Sequence, residues 1–137
     1  MSQLVARQDI AAAIEAARAA WTPYNLVVEQ ENRDIIDQVT QVNPYVGVDL
    51  MFYDGQQMDL GPAPLVGVYG HILLAVCTQE GKGTSGVTPV MDHMSQALSR
   101  RTFSLVKTSV PKPQPYVIRK GWYCQLSLIN FWYHELA

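Results

Sequence analysis

Charge is scarce in this 137-residue chain: 16% of its residues are Asp, Glu, Lys or Arg, and 48% are apolar. Disordered chains have the opposite balance, with much net charge and few apolar groups, so the composition excludes disorder. Long apolar runs are also missing. The longest, Ile72–Cys77, has the length of a strand, whereas a membrane-spanning helix needs about 20 apolar residues. Arg7, Asp9, Glu15 and Arg18 interrupt any apolar core within residues 1–20, so no signal peptide is expected there. Cysteine is limited to Cys77 and Cys124, too few for a secreted disulfide scaffold. A cytoplasmic protein with both thiols reduced is the expectation.

Chemical motifs are missing too. His71, His93 and His134 have no partner at metal-ligand spacing, and no Cys-x-x-Cys occurs. Asp92 and His93 are neighbours on an expected helix, where adjacent side chains diverge and make a poor dyad. No serine stands in a Gly-x-Ser-x-Gly elbow. Asp49, Asp54 and Asp59 lack the glycine and closing glutamate of a calcium loop. Gly81-Lys82-Gly83-Thr84 follows a strand and precedes a helix, as a phosphate loop does. Its lysine, however, stands apart from Thr88 instead of beside a helix-opening hydroxyl; a mobile surface loop over 80–87 is expected. Cys124, within an apolar strand, behaves as a small inert hydrophobe. The residues offer no active site, no metal and no cofactor site, and a non-enzymatic role is expected.

What is present is strong patterning. Residues 2–20 contain seven alanines between Ala11 and Ala20 and carry Leu4, Ile10, Ile14, Ala17 and Trp21 at helical spacing, so they predict a helix. Thr22-Pro23 ends it, because proline pushes the preceding residue out of the helical region. Leu26–Val28 predicts a short strand, and the acidic 29–44 stretch an extended connection. From Tyr45 to Tyr53 the apolar residues Val46, Val48, Leu50 and Phe52 alternate with others, a strand with one core face. Asp54-Gly55 signals a hairpin with a polar arm over 56–64. Leu65–Cys77 is the next strand, with Gly67 and Gly70 marking a bulge or a close backbone approach.

A second helix is expected after residue 87, with Thr88 as N-cap, Pro89 at its first position, and Arg100 and Arg101 in its last turn. Phe103–Val106 could form a short strand. The proline-bearing 107–115 segment cannot be a central strand. Tyr116–Arg119, a Lys120-Gly121 turn and a long strand from Trp122 to Tyr133 close the chain. The whole is expected to be one α+β domain over residues 1–137, with a mostly antiparallel sheet and two helices packed on one face.

Two features point to self-association. Residues 1–80 hold ten acids against Arg7, Arg18 and Arg33, a net of −7, while residues 81–137 hold seven bases against Asp92 and Glu135, a net of +5. Segregated charge suits head-to-tail contact between copies, unless folding intermixes the two halves and cancels the split. The strands Ile72–Cys77 and Trp122–Tyr133 are apolar on both faces. Two helices cover one face of a sheet, so the other is expected to be covered by a second subunit or, within the chain, by the amino-terminal helix and the 29–44 segment.

Five segments in order carry a resemblance. They are the alanine-rich helix ending at Trp21-Thr22-Pro23, Asn43-Pro44-Tyr45-Val46 opening a strand, and Gly70–Val76 running into Glu80-Gly81-Lys82-Gly83-Thr84. The helix Pro89–Leu98 follows, and Gly121-Trp122-Tyr123 with Asn130–His134 closes the chain. In these the chain resembles the tail-terminator (tail completion) proteins of long-tailed bacteriophages, lambda type. The resemblance implies a hexameric ring that caps the finished tail tube, ends its polymerisation and offers a surface to the head–tail connector. It implies as partners the chain itself, the tail tube protein and the connector, with no cofactor, no membrane and no sequence-specific nucleic acid, although DNA could pass through the ring. It places the protein in the bacterial host cytoplasm during assembly, then in the virion tail. The 54–64 hairpin, the 80–87 loop and the 107–115 segment would be contact arms. With the basic pair they make Asp54, Gln57, Asp59, Lys82, Thr84, Arg100, Arg101, Lys107 and Lys112 the candidate interface residues. Rival readings are another connector or stopper ring, a tail tube subunit, a small-ligand-binding or hydrolytic α+β domain, and a nucleic-acid-binding module using Lys107, Lys112, Arg119 and Lys120.

Overall fold

The computed structural model describes residues 3–29, 43–53, 56–57, 65–79, 85–119 and 121–136. Helix α1 (Gln3–Ala20) leads into β1 (Val28–Glu29), β2 (Tyr45–Phe52), β3 (Gln56–Gln57) and β4 (Leu65–Gln79). Helix α2 (Val87–Leu98) follows, then β5 (Thr102–Phe103), β6 (Val106–Thr108), β7 (Lys112–Arg119) and β8 (Trp122–Leu136). The strands join in one sheet of order β1-β2-β4-β8-β6-β5, with β3 on β4 and β7 on β8. Every pairing is antiparallel except that of β1 with β2. The protein is therefore α+β with a mostly antiparallel sheet. Among the described residues, no helix is long and apolar enough to cross a membrane.

The sheet is organised about β4 and β8. Each has 15 residues, and they pair without a break from Leu65↔Leu136 to Gln79↔Trp122. At about 3.4 Å per residue the ladder is roughly 50 Å long. Alternation then sorts the side chains. Val68, Ile72, Leu74 and Val76 of β4, with Ile129, Phe131 and Tyr133 of β8, point to the helices and join the main core. Ala6, Ile10, Ile14 and Ala17 of α1 fill that core from above, as do Val87, Val90, Met94 and Leu98 of α2.

Helix α2 starts at Val87, one residue before the expected Thr88 cap. Gly86 occupies the cap position and no side chain bonds there. A missing cap costs about 1 kcal/mol. Four fully buried apolar side chains return roughly 1.5–3 kcal/mol each, so packing sets the boundary. The helix ends at Leu98, so Arg100 and Arg101 lie beyond it and not in its last turn. The two helices are tied where His93 Nε2–H donates to the Ala17 carbonyl at 2.7 Å, satisfying one of the last acceptors of α1. The His93 ring also meets Trp21 edge-on at 5.2 Å.

Three further expectations are corrected or completed. The short strand expected over 103–106 is a hairpin, β5–β6, turned at Ser104 (φ 57°) and Leu105. The 107–115 segment is not a projecting arm: Lys107 sits in β6, and Lys112 opens β7, which pairs with β8. Pro113 and Pro115 fit because, among the described residues, β7 pairs on one side only. The cysteines are not free. Cys77 and Cys124 stand opposite each other in the β4–β8 register, Cα atoms 4.0 Å apart, and are joined as a disulfide. The thiols are 47 residues apart in sequence, and only the strand register reveals them as neighbours. The 30–42 stretch, the Asp54-Gly55 turn, residues 58–64 and the 80–84 loop lie outside the described residues.

Gly70 answers the question its place in β4 posed. The register runs through it unbroken, so it marks no bulge. A Cβ there would lie 2.3 Å from the Met51 carbonyl oxygen and 2.5 Å from the Phe131 ring, which stacks edge-on with Phe52 at 5.2 Å. Gly70→Ala is expected to cost about 3 kcal/mol and lower the melting temperature by about 10 °C, measured by calorimetry. Reducing the disulfide is expected to cost up to about 4 kcal/mol through the reopened loop. Thermal melts with and without reductant check this, as does thiol labelling of the unreduced, unfolded chain, which should find no free cysteine.

Candidate interaction surface

The face of the sheet away from the helices is open among the described residues. Successive cross-strand rows cover it, each set by register. Gly47, Ala75, Leu126 and Gln114 form one row, and Asp49, Leu73, Leu128 and Lys112 the next. Met51, His71 and Asn130 follow, then Tyr69, Trp132 and Lys107. Leu73, Leu126, Leu128 and Trp132 are half-buried, and Met51, Tyr53 and Tyr69 are exposed. Tyr53 reaches along the face to His71, its hydroxyl 2.5 Å from Nδ1. At one end the face closes into a small second core, where Tyr45 and Trp122 meet edge-on at 5.0 Å over the Cys77–Cys124 disulfide. The both-sided apolar character of the two long strands thus appears as a main core on one side and a stripe of unburied apolar groups on the other. Exposed apolar stripes of this kind are typical of contact surfaces.

Beside this face lies a shallow cleft of about 360 Å³ lined by Arg100, Arg101 and Lys107 together with Thr102, Thr108 and Trp132. A buried hydroxyl positions the cations. Thr108 Oγ1 donates to the Leu98 carbonyl at 2.5 Å, closing the end of α2, and accepts from the Arg101 N–H at 2.9 Å. The Thr108 N–H returns to the Arg101 carbonyl at 2.9 Å, and Arg100 N–H reaches the Ser109 carbonyl at 3.3 Å. Arg100 turns the chain with φ 52°. Three cations with hydroxyls and an indole favour an anionic partner.

Of the residues expected at an interface, the fold brings Arg100, Arg101 and Lys107 into one cleft and puts Lys112 on the adjoining face. Gln57 lies in β3, its side chain outside the described set, and Asp54, Asp59, Lys82 and Thr84 lie outside the described residues. The apolar members Leu73, Leu128 and Trp132 were legible as surplus strand hydrophobicity, but Thr108 and Asp49 carried no signal that linked them to a site. A second cleft of about 610 Å³ runs between α2 and β7–β8. Prolines and Tyr116 and Tyr123 line it, and Asp92 is the one charged side chain among its described lining residues. Among the described residues, no group of three or more His, Cys, Asp or Glu could hold a metal.

No family model and no curated protein matches the chain significantly. The fold itself recurs: a solved structure whose name states no function is 15% identical, with a TM-score of 0.69, over 100% of this chain and 98% of the other.

Replacing Thr108 by valine keeps the shape of the side chain but strands the Leu98 carbonyl and the Arg101 N–H. Thr108→Val is expected to lose about 2–3 kcal/mol in urea denaturation, and Thr108→Ser much less.

Proposed function

We propose that this chain is a tail-terminator protein of a long-tailed phage or prophage, which assembles into a ring on the end of the tail tube, stops its growth and presents a surface to the head–tail connector. The observation that carries the reading is the open apolar sheet face beside the Arg100–Arg101–Lys107 cleft. A ring of identical subunits needs two different complementary patches. The cationic cleft is one, and the acidic amino-terminal half, net −7 over residues 1–80, supplies the charge for the other. Screening limits such contacts to about 8 Å in physiological salt, so charge sets orientation and apolar burial sets strength. The order of segments shared with lambda-type terminators supports the same reading. The reading implies weak self-affinity of the free subunit, because premature rings would compete with capping.

A stopper or connector ring would use the same two patches, and tube-length control separates the two roles. Phosphate contact is a second reading, favoured by the indole of Trp132 beside three cations; a steep loss of DNA binding with added salt would support it.

Reversing both arginines, Arg100→Glu with Arg101→Glu, tests the ring. Both side chains are exposed and lie outside the helix, so the melting temperature should change little. Electron micrographs of tubes assembled with this variant should show overlong, uncapped tails where the native protein ends them. Normal capping by the variant overturns the proposal.

A further inference from the structure

We infer that the open sheet face is the docking surface for a second copy of this chain, related by a two-fold axis that runs parallel to β4 and β8 between them. One row of the face carries an acid and a base. Asp49 on β2 pairs with Leu73 on β4, Leu73 with Leu128 on β8, and Leu128 with Lys112 on β7. An acid and a base therefore stand at opposite ends of a row whose middle is apolar. Both charged side chains are exposed and both leucines half-buried.

Laying this face against its own copy leaves two ways to place the in-plane axis. An axis across the strands through this row keeps each strand on its own side and sets Asp49 against Asp49 and Lys112 against Lys112, which repels. An axis along the strands exchanges the sides. The copy's Asp49 then meets Lys112, its Leu73 meets Leu128, and both contacts occur twice. The neighbouring rows agree. Tyr69 comes over Trp132, aromatic on aromatic, and His71 comes over Asn130, polar on polar, since those residues are register partners across β4 and β8. The strands of the two sheets run aligned, as in β-sandwich packing at about 10 Å separation.

The size of the face sets the strength. Four strands about 4.8 Å apart and a length of about 27 Å give roughly 500 Å² per copy. The total of about 1,000 Å² lies at the lower limit for a specific interface, so the pair should be weak. Such a contact closes on itself and gives a dimer, unlike the head-to-tail contacts of a ring. The inference does not rest on the terminator reading. Where that reading holds, pairing would hold free subunits back from premature rings.

Sedimentation of the whole chain over a wide concentration range is the test, with Asp49→Lys, Lys112→Asp and the double variant compared at equal folding by circular dichroism. The native chain should show a monomer–dimer equilibrium. Each single reversal should weaken it about tenfold or more, because each places two like pairs at the rim. The double variant should regain it, and the two single variants mixed should form a heterodimer. A native chain that stays monomeric, a double variant no better than the singles, or assembly that skips the dimer each overturns the inference. A dimer with tubes left uncapped would sustain it while refuting the terminator reading.

Discussion

The unbroken pairing of β4 with β8 is the constraint on which the other elements depend. Antiparallel register has a period of two, so a slip of one residue would send Ile72, Leu74, Ile129 and Phe131 to the wrong face. Both helices would then lose the surface they pack on. The same register aligns Cys77 with Cys124 and Gly70 with Phe131. The disulfide and the close packing of Phe131 over Gly70 are consequences of this pairing that also pin it, since neither survives a shift.

The strand length has a second effect. Two helices cover the main core but do not extend to the far side of a ladder about 50 Å long. Because β4 and β8 are apolar on both faces, the far side keeps Leu73, Leu128 and Trp132 partly in water. Hydrophobic burial scales with area removed from water, so this face gains from any partner that fits its shape and edge charges. Charge then selects among arrangements that apolar contact alone would tolerate. Asp49 and Lys112 sit at the ends of one row because β2 and β7 flank the central pair.

Thr108 shows how a buried polar group can organise a surface. Its hydroxyl serves a helix carbonyl and a loop N–H at once. That double use holds the turn after α2 in place and gathers Arg100, Arg101 and Lys107 along one cleft. Left unsatisfied, the same buried groups would cost more than their bonds return, so the position of the cations is tied to the stability of the connection that carries them.

Local sequence determined the elements whose physics is local. The alanine-rich run forms α1, proline stops it, alternation marks β2, and the spacing of Val87, Val90, Met94 and Leu98 sets the buried side of α2. The antiparallel α+β class follows from their order, and surplus strand hydrophobicity announced a second face to be covered. Helix ends were less legible, because burial of Val87 outweighed the capping preference of Thr88. Tertiary structure alone decided what depends on partners distant in the chain. Cys77 and Cys124 are 47 residues apart and looked like isolated thiols until register made them neighbours. Arg100 and Lys107 share a cleft only because Thr108 folds their hairpin back onto α2. Asp49 and Lys112 face the same way only because two other strands stand between them at a fixed spacing. Periodicity names which side of a strand is apolar, and only the pairing of strands says what lies beside it.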